Sequence, residues 1–218
     1  MTQADLMRPW MLRLLAGAVF ALTTAAGASA QGVDVKGYGM IGGMSFSASE
    51  SFDAVLGGST GTIFGGGAEV GLPWGGLYVG VGAWRFSQDG ERVFVSGSEV
   101  FPLGIPLTVD VTPVEITGGW RFKNVWSRFV PYAGGGWSSY AYKETSEFAD
   151  ATENVDERFS GWHILGGAEF RVTRWLGVAG EIAFTSVPDA LGMGGASEAF
   201  DETNLGGTSY RLKISVGR

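Results

Sequence analysis

The sequence predicts an all-β fold, an eight-stranded antiparallel up-and-down barrel that crosses a membrane. Three observations predict it. First, strand-like segments are separated by gaps that alternate in length: Pro73–Gly76, Lys123–Ser127 and Thr173–Arg174 are short, whereas Ser47–Thr60, Ser87–Gly104, Lys143–Arg158 and Val187–Asn204 are long and polar. Tight turns at one end and large loops at the other mark a meander closed within a bacterial outer membrane. Second, five of the eight segments alternate with a period of two, one parity apolar and the other small or charged. Third, beyond residue 30 no apolar run reaches the roughly 20 residues a spanning helix needs. A crossing must then be a closed sheet, because lipid offers no partner to free backbone groups.

Residues 1–30 read as a cleavable signal peptide. Arg8 and Arg13 give the positive start, Leu14–Gly27 the uncharged apolar stretch, and Ala28-Ser29-Ala30 the small-residue cleavage site. The barrel domain is expected over 31–218. Removing the signal takes away two basic residues and one acidic one, so the formal net charge moves from −7 to −8. An acidic chain without a basic stripe is a poor partner for nucleic acid. The absence of cysteine excludes lipoprotein anchoring, disulfides and thiolate metal sites.

Taken in order, Val33–Phe46 is strand-like with faces blurred by glycine. Thr62–Leu72 sets Phe64, Ala68 and Val70 against Glu69. Leu77–Phe86 is again blurred, by aromatics on both parities. Thr112–Phe122 places Val114, Ile116, Trp120 and Phe122 opposite Glu115, Thr117 and Arg121. Arg128–Tyr142 is assigned by spacing. Ser160–Val172 sets Trp162, Ile164, Ala168 and Phe170 against His163, Glu169 and Arg171. Trp175–Thr185 puts Leu176, Val178, Ile182 and Phe184 opposite Glu181. Thr208–Val216 sets Tyr210, Leu212, Ile214 and Val216 against Ser209, Arg211, Lys213 and Ser215. Pro113 and Pro131 each remove a ladder donor, which predicts bulges or strand ends there. Arg92–Val95 and Ile105–Val109 also read as strand, so the third and fourth strands are expected to continue beyond the membrane as a hairpin.

The charged parity carries Glu69, Glu115, Glu169 and Glu181 against Arg121, Arg171, Arg211 and Lys213, four of each sign. In a soluble barrel such charges would be ruinous if buried unpaired. In a narrow membrane barrel the apolar parity meets lipid and the charges pair inside, leaving a plug of ion pairs and small residues. Glu181 and Arg211 lie on neighbouring strands at similar depth and are expected to pair. Trp74, Trp120, Phe122, Trp126, Phe129, Phe170 and Trp175 cluster at the short-turn end; Trp84, Phe86, Tyr140, Tyr142, Phe159, Trp162 and Phe184 lie toward the loop end. They predict two interfacial girdles.

The loops hold most of the acid. Glu144, Glu147, Asp150, Glu153, Asp156 and Glu157 form one acidic loop; Asp189, Glu198, Asp201 and Glu202 occupy another. Their spacing fits no EF-hand, and they read as solvated surface that keeps the outer face hydrophilic. The single His163 has no nucleophile motif around it and reads as a satisfied polar group near the rim. No catalytic residue, metal site or cofactor is expected.

The signal peptide, Val130-Pro131-Tyr132-Ala133-Gly134, Val114–Phe122 and the alternating last strand resemble the small outer-membrane β-barrel superfamily, the group that includes the OmpA transmembrane domain, OmpX and OmpW. The resemblance covers Val33–Arg218 and is one of architecture. It implies periplasmic termini, extracellular long loops, an interior of paired Glu with Arg and Lys, outer-membrane lipid and lipopolysaccharide as surroundings, and insertion by the outer-membrane assembly machinery. Members that modify lipid A rely on Ser and His near the outer rim, whereas Ser160 and His163 here fall on opposite faces. The chain also departs from the family's aromatic ending, closing on Val216-Gly217-Arg218. The function expected is a non-enzymatic, largely closed monomer serving envelope integrity or surface interaction. The alternative is a narrow OmpW-like channel for small hydrophobic solutes.

Overall fold

The computed structural model describes residues 33–73, 75–97, 99–123, 128–146 and 155–217. The expected signal peptide lies outside them. Eight strands, β1 Asp34–Phe46, β2 Thr60–Gly71, β3 Leu77–Ser96, β4 Glu99–Arg121, β5 Phe129–Ser146, β6 Val155–Arg171, β7 Leu176–Ser186 and β8 Gly207–Gly217, form a closed antiparallel barrel. Each pairs with its sequence neighbours, and β8 returns to β1 with Ile41 opposite Leu212. Closure leaves no free edge in the lipid layer. One connection, between β1 and β2, contains a helix, α1 (Ser49–Leu56); the β7–β8 connection contains a second, short one, α2 (Gly195–Ala199).

The parity rule fixes which side chains meet lipid. Ile41, Phe64, Val79, Val81, Val114, Ile116, Ile164, Ile182, Leu212 and Ile214 are exposed on the outer wall, while Glu115, Glu169, Glu181, Arg121, Arg211 and Lys213 are buried inside. At the periplasmic end Trp120, Phe122, Phe129, Phe170 and Trp175 are exposed as a girdle; Trp74 and Trp126 lie outside the described residues. The outer girdle differs from expectation. Trp162 and Phe184 face outward, but Phe159 packs against the lumen cluster, and Trp84, Phe86, Tyr140 and Tyr142 are buried in the lumen. They share parity with Tyr78 and Tyr132, opposite the outward Val79, Val81 and Trp137, so period two overrides the tendency of aromatics to sit at interfaces.

Inward glycines make room for inward rings. A Cβ on Gly67 or Gly82 would lie 2.6 or 2.4 Å from the Tyr38 hydroxyl, and one on Gly119 would lie 2.6 Å from the Tyr78 ring. At Gly167 it would stand 2.5 Å from the Gly180 carbonyl oxygen and 2.7 Å from Tyr132 Cζ. Gly118 faces outward, with nothing within 4 Å. Gly167→Ala should therefore destabilise by about 1–3 kcal/mol through overpacking. Gly118→Ala should be neutral or stabilise by up to about 1 kcal/mol, since it only removes backbone freedom. Urea unfolding in lipid vesicles separates the two; equal effects would contradict the inward assignment of Gly167.

The β3–β4 hairpin extends past the barrel as expected, with Phe94 facing Phe101 in its register. Pro113 does not produce a bulge: the β3–β4 ladder lapses between Ala83↔Val114 and Phe86↔Val111 and resumes in the same register. Pro131 sits near the start of β5, as a donor-less residue can. The register shift lies higher, between Glu91 and Val93, where the chain between Pro102 and Pro106 bulges through Gly104 at φ 68°.

Candidate functional site

The lumen gathers the buried charges of this sheet, and it divides into two halves. The periplasmic half is ionic. Arg211 on β8 reaches straight across to β4, where Nη1 and Nη2 each donate to a Glu115 carboxylate oxygen at 2.8 Å. Strands four apart in an eight-strand ring are opposite, so this bidentate pair spans the lumen. Arg211 also lies 3.4 Å from Glu181, its direct cross-strand neighbour, and donates from Nε to Ser209 at 2.9 Å. Trp84 Nε1 donates to Glu115 at 2.8 Å. Glu181 further accepts from Tyr132 at 3.0 Å and from Lys213, whose ammonium stands over the Tyr38 ring.

A second layer lies nearer the periplasm. Glu169 accepts from Arg121 at 2.8 Å and from Lys36 at 2.7 Å; Arg121 also bonds Glu69, and its guanidinium lies 5.0 Å from the Tyr78 ring centre. Arg171 stands 3.8 Å from Glu169, and Lys123 pairs with Asp34 at the mouth. Such pairs are tolerable in low dielectric only because each charge is held by several partners. Between Asp34, Lys36, Glu69, Arg121, Lys123 and Arg171 a gap of about 10 Å³ remains, space for a single water. Lys36 and Tyr38 were missed by sequence reading; the even parity of β1, Lys36-x-Tyr38-x-Met40, is the signal that finds them.

The extracellular half is apolar, where ion pairs and small residues were expected throughout. Met40, Met44, Phe46, Ile63, Trp84, Phe86, Leu107, Val109, Val111, Tyr140, Tyr142, Val187 and Leu205 form one buried cluster, completed from above by Phe52 and Leu56 of α1. Phe46 stacks on Phe52 at 4.3 Å between ring centres and meets Phe86 edge-on at 4.9 Å. His163 is not at the rim. It is buried beneath this cluster, with Nδ1 at 2.7 Å from Ser138 Oγ and Nε2 at 2.9 Å from Thr117 Oγ1, one ring nitrogen donating and the other accepting.

α1 closes the mouth. Phe52, Val55 and Leu56 recur at helical spacing and Gly57 ends the helix at φ 72°. Its N-terminus is capped from another loop: Glu202 accepts from the Glu50 and Ser51 amides at 3.0 and 2.8 Å and from Ser51 Oγ at 2.5 Å. At the other end Gln88 Nε2 donates to the Leu56 carbonyl at 3.0 Å. Glu202 was read as loop solvation and instead ties two loops together. Removing its carboxylate in Glu202→Ala should cost about 1 kcal/mol, the worth of a helix cap. Amide exchange at Glu50 and Ser51 should quicken accordingly, and unchanged exchange would contradict the cap.

The acidic loop is also redrawn. Glu144 belongs to β5, and Asp156 and Glu157 to β6; Glu147, Asp150 and Glu153 lie outside the described residues. Glu144 accepts from Tyr142, and Asp156 pairs with Lys143 at 3.5 Å on the surface. The β5–β6 hairpin is longer than its composition implied: its ladder continues through Tyr142↔Glu157 and Lys143↔Asp156 to Glu144↔Val155.

A closed sheet with a largely apolar outer wall and charges paired inside defines a transmembrane β-barrel of the bacterial outer membrane. The sequence matches the outer membrane protein beta-barrel domain over residues 14–216, and the chain belongs to that family. Among solved structures, it is similar in fold to a major outer membrane protein from Thermus thermophilus, with TM-score 0.51, 10% identity and coverage of 84% of this chain and 99% of that one. Neisserial surface protein A follows at TM-score 0.49 and 13% identity, covering 86% and 96%. The N-terminal barrel of Pseudomonas aeruginosa OprF gives TM-score 0.46 and 8% identity, covering 84% and 97%. No curated protein sequence matches.

Proposed function

We propose that this protein is a non-enzymatic, closed barrel that serves envelope integrity or surface interaction rather than solute flux. The observation that carries the reading is the filling of the lumen: two ionic layers, an apolar layer and the α1 cap lie in series along its axis. Both nitrogens of His163 are engaged by hydroxyls inside the wall, which argues against a role in lipid modification at the rim. The surface available to partners is extracellular. It comprises the β3–β4 hairpin with Phe94, Phe101 and Leu103 exposed, and the exposed Asp156 and Glu157 of β6. Outer-membrane lipid and lipopolysaccharide are the constant neighbours of the outer wall, and the alternating β8 is the segment offered to the assembly machinery. Planar-bilayer recording on the refolded protein tests this. Silence at moderate voltage is expected, and a steady single-channel conductance would support the OmpW-like alternative instead.

A further inference from the structure

We propose that the extracellular half of the lumen is a blind binding chamber for one small, mainly apolar molecule carrying a hydroxyl or carbonyl group, with α1 as its lid. Two independent observations lead there.

The first is a pair of stranded polar groups. The Tyr140 hydroxyl and Thr185 Oγ1 face one another, and among the described residues neither has a further hydrogen-bond partner. Tyr140 is 0% and Thr185 7% exposed. Between them they can share one bond, leaving one O–H donor unsatisfied, and a buried unmet donor is costly. A ligand oxygen placed beside the pair would accept that donor.

The second is the construction of the lid. α1 contributes Phe52 and Leu56 to a chamber whose walls, Met44, Phe46, Trp84 and Phe86, belong to the barrel itself. Besides that packing, it is tied by polar contacts outside the strand ladders: the Glu202 carboxylate at one end and the Gln88 amide at the other. Gly57 and Gly58 follow it directly, the first already in a left-handed conformation and the second with open space at its Cβ. Phe52, stacked on Phe46, thus occupies the seat that an aromatic or alicyclic ligand would take.

The floor makes the chamber blind. The Glu115–Arg211 pair crosses the lumen below it, so an occupant can enter and leave only on the extracellular side. This reading adds binding to the closed barrel and requires no flux.

Photolabelling of the full chain in nanodiscs tests it with two probes, benzophenone and 4-hydroxybenzophenone, adducts being mapped by mass spectrometry. Adducts of the hydroxylated probe are expected at Met40, Met44 or Ile63. Glu202→Ala and Phe52→Ala should each raise that interior yield several-fold. Thr185→Val and Tyr140→Phe should each lower the preference for the hydroxylated probe about tenfold, two variants so that a folding defect in one leaves the other decisive. Adducts confined to outward residues such as Ile164 and Leu212, an interior yield indifferent to Glu202 and Phe52, or equal labelling by both probes in the parent chain would each overturn the proposal. Bilayer silence together with interior labelling separates this chamber from a channel.

Discussion

Arg211→Ala is expected to destabilise the barrel by about 3–5 kcal/mol, the cost of leaving buried carboxylates without their counter-charge. Arg211 is 4% exposed and serves Glu115 with two hydrogen bonds and Glu181 with a third contact. Lys213 remains to neutralise Glu181, so the orphan is Glu115. The expectation is sharpened by a companion. Arg211→Met combined with Glu115→Gln removes both charges and keeps an acceptor for Trp84 Nε1, and should recover most of the lost stability. Urea unfolding in vesicles, or the heat-induced mobility shift of the folded band, reports both. If the double variant were no more stable than Arg211→Ala, the pair would not be what holds this layer.

The second large effect lies on the other side of the wall. Leu212→Lys puts an ammonium at the middle of β8, facing lipid, and should cost about 2–4 kcal/mol, as charges at mid-membrane depth do in barrels. The same kind of change at Met193, 90% exposed in the β7–β8 connection, should stay within about 0.5 kcal/mol. Arg211 and Leu212 are adjacent in sequence yet obey opposite rules, because successive side chains in a strand leave on opposite faces. A tolerated Leu212→Lys would mean that this face does not meet hydrocarbon.

The charges made the architecture legible. Glu115 and Arg121 on one strand, Glu169 on another, and Arg211 with Lys213 on the last each mark a parity without ambiguity, and the outer face follows from it. What escaped had a physical reason in each case. Trp84, Phe86, Tyr140 and Tyr142 sit where girdle aromatics also sit, and only their phase relative to Val79, Val81 and Trp137 distinguishes lumen from lipid. Lys36 is diluted by the glycines of β1, which contribute no hydropathy to either face. The helix α1 is eight residues long, below the length at which a helix persists without tertiary support, and it lies within what reads as a polar gap. Its Phe52, Val55, Leu56 spacing and terminal Gly57 were the available signals. Glu202 acts 151 residues from Ser51, and no local pattern encodes that encounter.

The absence of cysteine makes one measurement decisive for the central claim that apolar side chains look out to lipid and charges pair within. Single cysteines placed at each position from Ser209 to Val216 can carry a nitroxide label in bilayers, and collision with dissolved oxygen and with a water-soluble nickel complex can then be recorded. Labels at 210, 212, 214 and 216 should show high oxygen and low nickel accessibility, in strict alternation with protected labels at 209, 211, 213 and 215. The reverse phase, or nickel reaching 212 and 214 freely, would contradict the account.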